Sequence, residues 1–203
     1  MLNYPAELGA VLDHAWAMLV RGVRDAKHGF HTPTLATLSP EGLPEARIVV
    51  LRGADPARLE ISAHTDARSP KVHELRTQPT AAWVFYDAHS KLQIRARARA
   101  EIITTAAEAN IHWAETGVSS RRCYLAPHAP SSVRPALDPN LPESVRGRLP
   151  SREESEPGRV NFAVILTRVL ALDVLHLAAA GHTRARFTYR DDGTLERSEW
   201  LAP

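Results

Sequence analysis

The stretch "LQIRARARAEI", residues 92–102, alternates between apolar and polar side chains at almost every position. Leu92, Ile94, Ala96, Ala98, Ala100 and Ile102 make one set; Gln93, Arg95, Arg97, Arg99 and Glu101 make the other. Period two puts successive side chains on opposite faces of a pleated strand, so this segment reads as a long strand with one face on a core. Its other face turns to solvent, a partner or a ligand. Three arginines there call for acidic or anionic partners, or else serve solubility alone.

Working outward, other short β-type segments surround this strand. "TPTLATLS" (32–39) and "EARIVVLR" (45–52) flank "PEGLP", whose Pro and Gly suit a hairpin. "RLEISAHT" (58–65) and "TAAWVFYDA" (80–88) follow. Toward the C-terminus come "VNFAVILTRV" (160–169), "ALDVLHLAA" (171–179) and "TRARFTYR" (183–190), then a turn at "DDG" and a last strand, "TLERSEWL" (194–201). Between strands, "SPKVHELRTQP" (69–79) reads as a short helix, with Ser69 at the N-cap, Pro70 at the first helical position and Pro79 as a stop. Residues 6–27 carry Leu8, Val11, Leu12, Ala15, Leu19, Val20 and Val23 at helical spacing, and residues 105–125 also read as helical. Residues 127–158 lie in a stretch with seven prolines that reads as a long irregular loop. The pattern predicts one domain over residues 1–203, mainly β (α+β), an antiparallel barrel with flanking helices.

Composition narrows the function. A charged fraction of 24% and hydrophobic fraction of 44% are those of an ordinary globular chain. The net charge of +2 does not make nucleic acid the default partner, and lysine occurs only at Lys27, Lys71 and Lys91. The arginine bias favours planar recognition of carboxylates or phosphates. One cysteine, Cys123, excludes an internal disulfide and a multi-cysteine metal site; its neighbours Arg121 and Arg122 would lower a thiol pKa, against the plainer reading of a buried structural cysteine. No apolar run approaches the roughly 20 residues that span a bilayer. Glu7 and Asp13 stand where a signal peptide would be basic and then apolar. The expectation is a cytoplasmic protein with no membrane or nucleic-acid partner.

Chemistry concentrates in "HTDARSPKVHEL" (64–75), where a strand ends and a helix begins. Free backbone N–H groups and the positive end of the helix dipole meet Arg68, the Ser69 hydroxyl and Lys71 there, which makes a phosphate site. An N-cap with solvated charges is the competing reading. In "RIVVLR" (47–52), Arg47 and Arg52 stand five positions apart on one strand and point to opposite faces, so they should not serve the same group. In "GHTRARFTY" (181–189), His182, Arg184 and Arg186 share a strand face. No His pair has the helical spacing beside a Glu that marks a zinc protease, and no serine-hydrolase elbow is present, so no metal is expected.

In their order along the chain these pieces resemble the pyridoxamine 5'-phosphate oxidase family of flavin mononucleotide (FMN) binding split barrels. "RIVVLR" is similar to that family's Arg-x-Val-Leu-Leu-Lys strand, with Arg52 in place of lysine. "TDARSPK" (65–71) matches the Thr-Asp-x-Arg-Ser-x-Lys of a divergent branch, "QIR" (93–95) the Gln-Val-Arg, and "HTRARF" (182–187) the C-terminal Arg-x-His-x-Arg-Phe. The closing "WLAP" is similar to the family's Arg-Leu-Ala-Pro. The resemblance implies an antiparallel split barrel and an FMN cofactor whose phosphate is held by Arg47, Thr65, Ser69 and Lys71. It implies Ile48, Val49, Val50 and His64 beside the cofactor, Arg68 replacing the guanidinium lost at Pro70, Gln93 on the flavin ring and Arg186 reaching in from the C-terminal strand. On the substrate side it implies Arg52, His182 and Arg184, the last two in swapped order. The family's Tyr-x-x-x-Arg-x-x-x-Ser grip on a substrate phosphate has no clear equivalent; Arg121, Arg122 and Tyr124 have the right chemistry at the wrong spacing. The activity implied is oxidation of a small-molecule substrate by an FMN-dependent homodimer with the cofactor at the interface, pyridoxamine phosphate being one candidate substrate. No individual catalytic side chain is implied. A flavin binder without catalysis and a polyanion binder remain as alternatives.

Overall fold

The computed structural model describes residues 4–203. Among them, nine strands join in one antiparallel sheet: β1 (Thr34–Leu38), β2 (Pro44–Ile48), β3 (Leu51–Asp55), β4 (Glu60–Asp66), β5 (Thr80–Asp87), β6 (Leu92–Ile103), β7 (Phe162–His176), β8 (Thr183–Tyr189) and β9 (Leu195–Leu201). The strand order is β2-β1-β5-β6-β7-β4-β3, with β8 on β7 and β9 on β8. The outermost strands of that path, β2 and β3, are consecutive in sequence and separated by only Val49 and Val50. A link so short cannot span an open sheet, so the sheet curls until its two edges meet. The Val49 N–H donates to the Pro33 carbonyl at 3.0 Å and ties the link to the start of β1.

This closure corrects the expectation of one continuous strand over 45–52. The chain pairs with β1 as far as Ile48, crosses, and pairs with β4 from Leu51. A second correction runs the other way. Residues 160–169 and 171–179, expected as two strands, form the single strand β7. Against β6 the register steps between Arg97 and Ala98, where Arg97 faces Ala171 and Ala98 faces Val169, so Leu170 is an extra residue. A bulge shifts the alternation without breaking the ladder, which is why the pattern looked like a gap. One edge of β7 is shared end to end, by β4 along its first half and β8 along its second.

The alternation of 92–102 holds. Leu92, Ile94, Ala96 and Ala98 are buried while Arg95, Arg97 and Arg99 are exposed. The core gathers Leu35, Ile61, Trp83, Phe85, Ile94 and Leu172. Helix α1 (Leu8–Arg24), shorter at both ends than the expected 6–27, adds Val11, Ala15, Trp16 and Leu19. Helix α2 (Pro70–Thr77) buries Val72 and Leu75. The helical expectation for 105–125 resolves into pieces, α3 (Ala106–Glu115), α4 (Val118–Arg121) and a 3-10 turn at Arg122–Leu125, because Gly117 interrupts them. Ala109, Trp113 and Tyr124 there pack on Phe162 and Val164 of β7 as a second cluster. Within 127–158 the chain is mostly irregular, yet it includes a 3-10 turn at Glu143–Val145 and α5 (Arg152–Ser155), and a further 3-10 turn begins at Glu156. Helix α5 forms despite the nearby prolines because Ser151 and Glu154 make a reciprocal capping box.

Trp83 is fully buried and its Nε1–H donates to Thr167 Oγ1 at 3.1 Å, while that hydroxyl donates to the Ile61 carbonyl at 2.7 Å. Thr167→Val keeps the volume and leaves the Trp83 Nε1–H unpaired in the core. We expect a loss of about 1–3 kcal/mol, seen as a lower urea midpoint with an unchanged slope.

Candidate functional site

Strand β4 delivers Thr65 to the point where α2 begins. Ser69 sits at the N-cap with extended backbone, but its hydroxyl makes no capping bond; it lies 3.1 Å from Thr65 Oγ1 instead. The expected side-chain cap is thus replaced by a pair of hydroxyls. Lys71 Nζ approaches Thr65 Oγ1 at 3.4 Å. Burial lowers the Lys71 pKa, and the Arg47 guanidinium lowers it too, against Glu74 and Asp66, which raise it. Arg47 therefore stands within electrostatic reach of Lys71. Arg47, Thr65, Ser69 and Lys71, singled out from the sequence, are brought together.

Two neighbours escaped the sequence reading. Glu74 is buried, and its Oε2 accepts from Arg47 Nη2 at 3.0 Å and from Thr37 Oγ1 at 2.5 Å. Arg47 Nη1 also donates to Thr37 Oγ1. The available signal was the helical spacing of Lys71 and Glu74, three apart on one face of α2. Nothing local in the sequence linked Thr37 to either.

Arg68 has another duty. It forms a two-pronged pair with Asp66, at 3.0 and 2.7 Å, and donates to the Ala126 carbonyl at 2.9 Å. It fastens the start of the proline-rich segment to β4, and the structure gives no support for it as the missing guanidinium. Of the link residues, Val49 is buried, Val50 half-buried and Ile48 largely exposed.

Arg52 occupies a different place, as the sequence spacing implied, though by another route. Between Leu51 and Gly53 the pairing of β3 with β4 slips by one, and Arg52 is the extra residue. The bulge turns its guanidinium to Ser120 Oγ of α4, at 3.1 Å. A cleft of about 230 Å³ opens there, lined by Arg52, His64, His112, Thr116 and Ser120. His64 packs its ring on Phe162 at 4.8 Å, and burial, with the charges of Arg52 and His112, pushes its pKa down to about 3. The ring is neutral at physiological pH.

The third group lies on the outer face of the sheet. The register aligns Val84, Arg95, Asp173, Arg186 and Glu199 in one row across five strands, so charges alternate from β6 to β9. Asp173 accepts from Arg95 at 2.9 Å and from Arg184 at 3.0 and 2.9 Å, with Arg186 at 3.9 Å. Gln93 and Arg184 lie in the adjoining row, either side of Leu175. A cleft of about 330 Å³ on this face is lined by Arg95, Arg97, Asp173 and Arg186. His182 is exposed just before β8. Among the described residues, no hydrogen bond or ion pair joins the β6–β8 face to the Arg47 cluster.

Arg121 is buried with its guanidinium 4.3 Å above the Trp113 ring, bonded to the Trp113 and Thr116 carbonyls and to Glu156. It is a structural clamp and not a substrate grip. Arg122 donates to the Arg148 carbonyl, Tyr124 is buried, and Cys123 is exposed, against the expectation of a buried thiol.

Comparison with known proteins converges on the same class, an FMN-binding split barrel related to pyridoxamine 5'-phosphate oxidase. Residues 13–104 match the family model described as pyridoxamine 5'-phosphate oxidase, FMN-binding domain. The pyridoxine/pyridoxamine 5'-phosphate oxidase of Azorhizobium caulinodans is 41% identical over 81 residues, which make up 40% of this chain and 37% of that protein. The one from Microcystis aeruginosa is 38% identical over 86 residues, 42% of this chain and 39% of that protein. The matched segment spans about two fifths of these curated relatives. In fold, a pyridoxamine 5'-phosphate oxidase-related, FMN-binding protein from Nostoc punctiforme superposes with a TM-score of 0.71 at 22% identity, covering 94% of this chain and 96% of that one. PhzG from Burkholderia lata, solved with tetrahydrophenazine-1-carboxylic acid, gives 0.69 at 17% identity over 99% and 95%. The matched family segment contains Arg47, Thr65, Ser69, Lys71 and Gln93 and ends before β7. Among the described residues, no helix is long and apolar enough to cross a membrane.

Asp173 gives this site a pH signature. Burial raises its pKa, but hydrogen bonds and charge from Arg184 and Arg95 outweigh that and hold it below the ordinary carboxylate value. A carboxylate depressed in the folded state stabilises above its unfolded pKa of about 3.9, and the gain is lost as pH falls through the folded value. The stability gap between wild type and Asp173→Asn should therefore be full at pH 7 and shrink below about pH 4, measured by urea unfolding across pH.

Proposed function

We propose that this protein is a cytoplasmic, homodimeric, FMN-dependent oxidoreductase acting on a small anionic molecule, with pyridoxamine phosphate one candidate. The observation that carries the reading is the convergence of Arg47, Thr65, Ser69 and Lys71 at the start of α2. Two cations and two hydroxyls at a helix N-terminus are the donor set a phosphate monoester takes. The residues present thus fit the phosphate of FMN. When bound, FMN supplies the two-electron chemistry, accepting hydride from a carbon of the substrate.

The chain's own residues bind and orient. Arg47 and Lys71 would neutralise the cofactor phosphate, and the Thr65 and Ser69 hydroxyls would donate to it. Ile48, Val49 and Val50 run beside it along the strand crossing. On the β6–β8 face, Gln93 offers a side-chain amide for hydrogen bonds to the flavin ring, and Arg186 offers a guanidinium nearby. In this reading a homodimer supplies both around each cofactor, the phosphate cluster from one chain and the β6–β8 face from the other. The cleft beside Arg52 takes the substrate, with Arg52 on its anionic group and the neutral His64 lending an uncharged ring nitrogen. His182 and Arg184 reach the substrate from the second chain. A chain with one cysteine needs no oxidising compartment, in keeping with the cytoplasm.

Purified protein should take up one FMN per chain and turn yellow, and it should elute at dimer mass. The double variant Arg47→Ala/Lys71→Ala should lose about 100-fold or more in FMN affinity, since charged hydrogen bonds contribute about 1.5–3 kcal/mol each. A preparation that stays colourless after FMN is added would refute the reading. Anaerobic mixing with candidate amines should bleach the flavin; binding without any bleaching across the panel would leave a flavin carrier and not an oxidoreductase.

A further inference from the structure

We infer that Glu74 is a positioning residue of the phosphate site, holding the Arg47 guanidinium in place beside Lys71. The inference rests on the assignment of that site to the FMN phosphate.

Two cations brought together out of water repel each other, and each loses hydration. Arg47 has little freedom left: its side chain is 22% exposed and bonded along one edge to Glu74 and Thr37. Glu74, with a side chain only 7% exposed, is the buried carboxylate that closes this triangle. An isolated carboxylate so buried would be costly, which argues that the cations are its reason for being there. The groups facing Lys71 are Arg47 from β2, Asp66 from β4, Glu74 on its own helix, and the Thr65 and Ser69 hydroxyls. Asp66 is already engaged by Arg68 in two hydrogen bonds. Glu74 therefore carries most of the compensation for the Arg47–Lys71 pair, and Thr37 holds its carboxylate in place. Arg47 Nη1 also lies 3.4 Å from the Glu45 carbonyl and Lys71 Nζ 3.4 Å from Thr65 Oγ1, which leaves the Nε edge of the guanidinium and the other ammonium hydrogens to turn to one phosphate.

The chemistry separates two duties of Glu74, accepting the Arg47 hydrogen bond and supplying negative charge. Glu74→Gln keeps the size and an acceptor oxygen but removes the charge; Glu74→Ala removes both. Binding of FMN and of riboflavin, which lacks the phosphate, is measured by fluorescence titration for wild type, both Glu74 variants and Arg47→Ala, from neutral to alkaline pH. Glu74→Ala should lower the preference for FMN over riboflavin about tenfold with riboflavin affinity unchanged, and Glu74→Gln should recover part of it near neutral pH. In Glu74→Gln the alkaline loss of FMN affinity should begin at lower pH than in wild type, because Lys71 has lost a group that keeps it protonated. Riboflavin binding shows no such pH shift and serves as the folding control. If Arg47→Ala lowers the FMN preference while neither Glu74 variant does, the positioning role is wrong. If Glu74→Ala weakens both ligands equally, Glu74 is only structural. If Arg47→Ala leaves the preference intact, the phosphate assignment itself has failed.

Discussion

Two residues, Val49 and Val50, separate the strands at opposite edges of the sheet, and that constraint organises the molecule. Backbone that short cannot reach across seven strands laid flat, so the sheet must close. Closure in turn sends Arg47 and Arg52 to different ends of the crossing. Arg47 is registered against Leu35 and reaches diagonally to Thr37 and across to α2, while Arg52, expelled by a bulge, reaches α4. One hexapeptide thus sends its two arginines to different places, because a strand break and a bulge lie within it. The close approach of Gly53 to Ser62, where an added Cβ would sit 2.5 Å from the hydroxyl, is part of how that bulge is accommodated.

Charge burial is the second theme. In each of the pairs Arg47 with Glu74, Arg121 with Glu156, and Asp173 with Arg95 and Arg184, one partner (Glu74, Arg121 or Asp173) is withdrawn from water. Such pairs add little net stability, since desolvation offsets attraction, but breaking one leaves an expensive unpaired charge. Their effect is to fix geometry. Arg121 locks α4 to α3 and to the start of the turn before β7, which forms the wall of the cleft beside Arg52. Asp173 sets the spacing of the arginines on the outer face, and Glu74 does the same for the cations at α2.

The strands, the barrel class and the gathering of hydroxyls and cations at the start of α2 were legible because each rests on local chemistry: period-two alternation, a Ser-Pro helix start, donors within seven residues. The errors have equally local causes. A bulge at Leu170 imitated a strand end, and the unbroken apolar run "IVVL" hid a crossing where one did occur. The partners of Arg68 and Arg121, namely Asp66, the Ala126 carbonyl and Glu156, were not legible because nothing local in the sequence pairs them. Cys123 looked buried because cysteines usually are, yet it lies on the exposed side of a 3-10 turn.

The sequence by itself determined which side chains alternate on 92–102 and which donors cluster at 65–71, because backbone periodicity and helix-end chemistry act over a few residues. Only the tertiary structure decided what faces them. Asp173 meets Arg95 across a ladder between residues 78 apart in sequence, and Glu74 meets Arg47 through a helix laid against a hairpin, 27 residues away. Pairing over such separations depends on strand register and on where the sheet closes, and a single bulge resets both. That is why the arginine stripe was visible at once and its counter-charges were not.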